Sequence, residues 1–197
     1  MKIENANQLT GMATGIQFLS FFGGVWLVFG LLARGAMDAA KGSLIVAGFL
    51  TLAGASLWVM RQARNLPAVP ADPAVGRAFA WINAAQWAAA FGLWFLLHRL
   101  RLDDYFLSGL AVIVGMHFLP LARLFHSPAN YATGGLLMIW AVVALAFVPA
   151  EHLPSVTAFG AGMILWQAAA TALAVAVALA RRSALSRRTE DSRAPAA

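Results

Sequence analysis

Apolar residues in this chain gather into six stretches of about 20, the length needed to cross a hydrocarbon core of roughly 30 Å as helix. Short clusters of charge or proline separate them. The pattern predicts spans over about 12–33, 42–60, 78–98, 105–122, 129–148 and 155–180. It gives an all-α, polytopic transmembrane helix bundle, with residues 1–180 as a single domain. Residues 181–197 are polar, small and uncapped, and predict a disordered basic tail.

The punctuation between spans supports these limits. Arg34, Asp38 and Lys41 mark the first turn, and Arg61 and Arg64 close the second span. Pro67, Pro70 and Pro73 recur at a three-residue spacing that favours an extended polyproline II spacer. Asp103 and Asp104 supply carboxylates suited to the start of the fourth span. Ser127-Pro128 reads as a cap followed by a first-turn proline, which makes spans four and five antiparallel neighbours. Pro149 ends span five and Ala150-Glu151-His152-Leu153-Pro154 forms the last turn.

Composition names the solvent. Hydrophobic residues make up 61% of the chain and charged residues 11%, and mean hydropathy is +0.73. A soluble domain would not cover that much apolar surface, so the expected partner is the lipid bilayer. The net charge of +6 does not point to nucleic acid, because the arginines lie at span ends and in the tail rather than on one aromatic-laced face. Ten of the 14 Lys and Arg residues fall on the side of the two termini, five of them in the tail. The positive-inside rule then places both termini in the cytoplasm of a bacterial-type cell membrane. The absence of cysteine excludes disulfides, thiolate catalysis and iron–sulfur ligation. The apolar run after Lys2 is longer than a signal-peptide core and no small-x-small cleavage site follows, so it reads as a retained helix.

Few polar residues interrupt the spans, and counting about 1.5 Å per residue sets their depth. Gln17 in span one, Asn83 and Gln86 in span three and His117 in span four fall at one level in the cytoplasmic half, with Ser56 and Thr133 near it and Gln167 deeper. Asn83 and Gln86 are three apart and share a helix face. Pro120 lacks the N–H that would bond the Met116 carbonyl, and its ring crowds that carbonyl, so span four should kink beside His117. Gln17, Asn83, Gln86 and His117 are therefore the candidate ligand-binding residues, with Pro120 as hinge. The expected ligand is a small solute or lipid-like molecule, bound or transported. The same side chains also fit interhelical hydrogen-bond glue, worth about 0.6 to 2 kcal/mol each. Two other readings therefore stay open: a structural or partner-binding membrane protein, including a homo-oligomer, and an enzyme at the cytoplasmic surface using His117 or His126 as base.

Small residues promise close helix packing. Gly11, Gly15, Gly23, Gly24 and Gly30 line span one, and Gly48/Gly54 and Gly109/Gly115 repeat one spacing in spans two and four. With Gln17-Phe18…Phe22-Gly23 echoed by Gln86-Trp87…Phe91-Gly92, they suggest a duplicated two-helix unit, with spans five and six as a diverged third copy. The tryptophans, Trp26, Trp58, Trp94 and Trp140 among them, read as interfacial anchors.

Other chemistry finds little footing. His117 is the only histidine well inside a span, so paired haem ligation is not supported. His98 and His152 lie near Asp103, Asp104 and Glu151 at the outer surface, where solvated loop residues are the better reading than a metal site. No phosphate-binding glycine loop, HExxH pair, nucleophile elbow or paired intramembrane carboxylate occurs. No metal, cofactor or catalytic residue is assigned. At Gly115-Met116-His117-Phe118-Leu119-Pro120-Leu121-Ala122 the chain resembles uncharacterised families of small six-span bacterial membrane proteins. The resemblance implies a six-helix membrane fold and carries no activity or site residue with it.

Overall fold

Six long helices account for nearly all of the chain, and each ends where local chemistry ends it. The computed structural model describes residues 6–64, 66, 70 and 72–191, with side chains to 182. The helices are α1 (Ala6–Ala33), α2 (Ala39–Ala63), α3 (Pro73–Leu100), α4 (Phe106–Leu124), α5 (Pro128–Phe147) and α6 (Leu153–Asp191). Short 3-10 turns, Asp103–Tyr105 and Ala150–His152, lead into α4 and α6. No strand occurs among the described residues. All six helices are long and apolar enough to cross a membrane; the shortest, α4, has 19 residues and so measures about 28 Å.

The caps follow from side chains at the boundaries. Asp38 accepts a hydrogen bond from the Lys41 backbone N–H at 2.8 Å and so caps α2. Its carboxyl is held below the ordinary carboxylate value by the Lys41 side chain and then by that N–H. Asp72 caps α3 through the Ala74 N–H at 2.8 Å, and Pro73 occupies the first helical position, where a missing donor costs nothing. Pro73 therefore belongs to a helix and not to a polyproline spacer; Pro67 lies outside the described residues. Ser127 is the N-cap residue of α5 in extended conformation, but its hydroxyl makes no capping bond.

Three helices end on one motif. Gly35, Arg101 and His126 sit at φ 62°, 56° and 49°, and the residue after each donates its N–H to a carbonyl five positions back, as Ser127 does to Ala122 at 3.0 Å. Only the first is glycine, the residue that adopts this left-handed conformation without steric cost.

The last helix departs from expectation. Its backbone stays helical through residue 191, where the sequence predicts disorder from 181; residues 192–197 lie outside the described residues. A helix already nucleated adds further turns at little cost, and the added stretch contains good helix formers such as Ala184, Leu185, Arg187 and Arg188.

α6 is the hub, packing along α1 and also touching α2, α4 and α5. Close approach comes from small residues. A Cβ on Gly162 would stand 2.8 Å from the Gly23 carbonyl oxygen, and one on Gly30 would stand 2.8 Å from the Phe159 nitrogen. On the terminus side the α1–α2–α6 core is built of Leu9, Ala13, Ile16, Val59, Ala169 and Ala176. Toward the opposite side Trp26, Ala111, Leu137, Ala141, Ala158 and Leu165 knit α1, α4, α5 and α6 together. Outside this body lies α3, which packs on α4 and the 3-10 turn preceding it. Only 6% of its most apolar window is buried, against 39% for α1.

Candidate functional site

Where α3 runs antiparallel to α4, Leu93 covers Gly109 at one end and Phe79 meets Phe125 at the other, with ring centroids 6.0 Å apart. His117 lies between these contacts, and its ring faces the main chain of Ile82 on α3. Its Nδ1 is buried and has no hydrogen-bond partner. Among the described residues it is the one buried side-chain polar atom left in that state.

Two carboxamides stand on α3 close to Ile82 in the chain. Gln86 stands one turn beyond Ile82 on the same face; it is half-buried and makes no hydrogen bond among the described residues. Asn83, also half-buried, bends back to donate to the Phe79 carbonyl of its own helix at 2.8 Å. Three of the four predicted ligand residues thus lie on the neighbouring helices α3 and α4. The fourth does not join them: Gln17 points to α2, where its amide nitrogen is 4.0 Å from the Met60 sulfur, and α1 and α3 are not neighbours.

Pro120 stands inside α4, which nonetheless stays helical from residue 106 to 124. Met116, whose carbonyl loses its donor to this proline, lies with Pro120 on the exposed side of the helix. The freed acceptor and the His117 ring therefore sit at adjacent positions, one turned outward and one inward.

No family model, curated protein or solved structure matches the chain. The chemistry of the seam has to be read from its own atoms.

The other polar groups are mostly spent locally. Ser56, Thr133 and Thr171 donate to carbonyls of their own helices at 2.7, 3.0 and 2.9 Å, and Gln167 is exposed. Sequence reasoning missed a buried side-chain pair that joins two spans, Ser108 on α4 and Thr157 on α6, 2.8 Å apart. It also missed two tryptophans that work inward. Trp166 donates to the Ser20 carbonyl at 2.8 Å, and its ring covers Gly23 and Gly48; Trp140 donates to the Thr157 carbonyl at 3.2 Å. Aromatic residues facing glycines were the available signal.

On the face away from the termini, His98 Nδ1 lies 3.1 Å from an Asp103 carboxylate oxygen, and the ring stacks on Trp94. His152 and Glu151 are exposed. No group of three potential metal ligands converges there among the described residues.

Proposed function

We propose that this is an integral membrane protein whose six helices span the bilayer with both termini in the cytoplasm, and that the α3–α4 seam binds a hydroxyl-bearing amphiphile. The observation that carries this reading is the buried, unpartnered Nδ1 of His117. A buried polar atom without a partner costs about 1–3 kcal/mol, so a ligand that satisfies it recovers that energy on binding. A hydroxyl suits either tautomer of the imidazole, since it both donates and accepts. Gln86, also uncommitted, offers a second polar contact one turn away.

Access supports a lipid-like ligand. α3 is the least buried helix and is held by α4 and the turn before it. An amphiphile entering sideways from the membrane has only to part this seam, with Pro120 weakening α4 on the far side. Transport across the bundle is less well supported, because α1 and α6 close backbone to backbone at Gly23, Gly30 and Gly162.

Native mass spectrometry of the protein released from mild detergent tests the reading, with wild type compared with His117→Ala and Gln86→Ala. A discrete adduct on wild type that is lost from His117→Ala and reduced in Gln86→Ala is the expected result. Equal, unselective lipid on all three sinks it. In that case the residues serve helix packing.

A further inference from the structure

Gln167 stands near the middle of the apolar part of α6, 13 residues after Pro154 and 14 before Arg181, so about 20 Å of helix separates it from either end of the span. Its side chain is exposed and makes no hydrogen bond among the described residues. We propose that Gln167 is the centre of an interface through which α6 pairs with α6 of a second copy of this chain. The proposal rests on the reading of α6 as a membrane span and is independent of the His117 seam.

Exposure has a different meaning at this depth than in a loop. A polar group at the rim of the molecule is satisfied by water, whereas a hydrocarbon layer about 30 Å thick offers none at its centre, and an unpaired amide there is costly. The other carboxamides well inside spans, Gln17, Asn83 and Gln86, are half-buried, and Asn83 bonds the Phe79 carbonyl. Two exposed span hydroxyls, Thr51 and Thr171, donate to carbonyls of their own helices at 2.8 and 2.9 Å. Of these polar side chains, Gln167 is the one both exposed and unpartnered.

The surface around it suits a helix. Ala170, Thr171, Ala174 and Ala178 are exposed on the same side of α6 as Gln167, away from Leu165, Ala169 and Ala176, which pack into the bundle. Small side chains let two backbones approach and polar ones bond across the gap, the two devices that join helices in membranes. Small residues alone would not select a partner; the carboxamide does. Copies inserted in one orientation pair about a two-fold axis along the membrane normal, so like residues meet at like depth. Gln167 then faces the partner subunit's Gln167. A carboxamide carries both donor and acceptor, so two of them exchange a pair of hydrogen bonds without a third group. A lipid tail offers neither.

The chain has no cysteine, so a single introduced thiol reports without background. Ala174→Cys places one on the interface, and Val142→Cys places one on the exposed side of α5. Each full-length protein is oxidised with copper phenanthroline in phosphatidylcholine liposomes over a range of protein-to-lipid ratios. A disulfide-linked dimer is expected from Ala174→Cys and not from Val142→Cys. Adding Gln167→Leu should raise the ratio needed for half-maximal dimer about tenfold or more. Leucine is at home in lipid, so this variant should unfold no earlier than Ala174→Cys alone, which keeps loss of dimer distinct from misfolding. Gln167→Asn, which retains the carboxamide, should restore part of the dimer. Equal crosslinking from the two positions, or a dimer unmoved by Gln167→Leu, overturns the proposal. A monomer at every ratio also overturns it and leaves lipid or another protein to cover the face. A membrane-impermeant maleimide separates the proposal from the reading beneath it. Labelling of Ala174→Cys from water overturns both, whereas a protected thiol on a monomer overturns the pairing alone.

Discussion

Arg101 shows what a single residue costs when nothing else claims it. It sits at φ 56° in the same helix-ending position as Gly35 and His126, and it is exposed. Arg101→Gly should therefore stabilise the protein by about 1 kcal/mol through relief of left-handed strain, read as a higher unfolding temperature in detergent. The Ser108–Thr157 pair behaves in the opposite way. Both residues are fully buried, so removing one hydroxyl leaves the other without its partner, and Ser108→Ala should cost about 1 kcal/mol. Ser108→Ala with Thr157→Val should cost less than the sum of the singles, and additivity in that cycle would show that the bond contributes nothing. His117 was legible in the sequence because a histidine beside a proline stands out in an apolar run. Ser108 and Thr157 were not, because serine and threonine in helices usually bond their own backbone, and nothing local pairs residues 49 positions apart.

At the scale of the element, glycines that look alike do different work. Gly48 and Gly54 lie on one helix, yet a Cβ at 48 would stand 2.4 Å from the Trp166 ring whereas one at 54 meets nothing within 4 Å. Gly48→Ala should destabilise by about 1–3 kcal/mol through overpacking. Gly54→Ala should be neutral or stabilise by up to about 1 kcal/mol through helix propensity. Thermal unfolding of the two variants decides it; equal shifts would show that Trp166 does not seat against α2. The same comparison weighs on the suggested duplication. Gly109 meets Leu93, Gly115 meets the Gly134 carbonyl, Gly23 meets Trp166, and Gly92 meets nothing. Positions matched by the echo are not matched in their packing.

For the whole molecule, the uneven distribution of contacts is the main feature. α6 is gripped by four helices, whereas α3 rests on α4 and its leading turn and leaves Trp81, Trp87 and Phe91 outward. Local stability follows such differences in packing. Hydrogen exchange of the native protein in micelles should show the amides of α3 exchanging well before those of α6 between residues 158 and 176. Simultaneous exchange of the two helices would mean that α3 unfolds only with the rest, and that the seam at His117 does not open by itself.

The number of helices and most of their ends were determined by the sequence, because these depend on local physics. A long apolar run has to satisfy its own backbone as helix, and Ser127-Pro128 suits a helix start; Pro73 also begins a helix, capped by Asp72, where its spacing from Pro67 and Pro70 suggested a spacer instead. The expected common depth of Gln17, Asn83, Gln86 and His117 specified a level and not a neighbour. Only the tertiary structure decided that α6 is central, that His117 looks toward Ile82, and that Gln17 looks toward Met60. The reason is steric: alanine- and glycine-rich helices can approach one another on several faces, and the choice rests on how bulky side chains such as Trp166 and Met138 fit over particular glycines, a match between residues far apart in the chain.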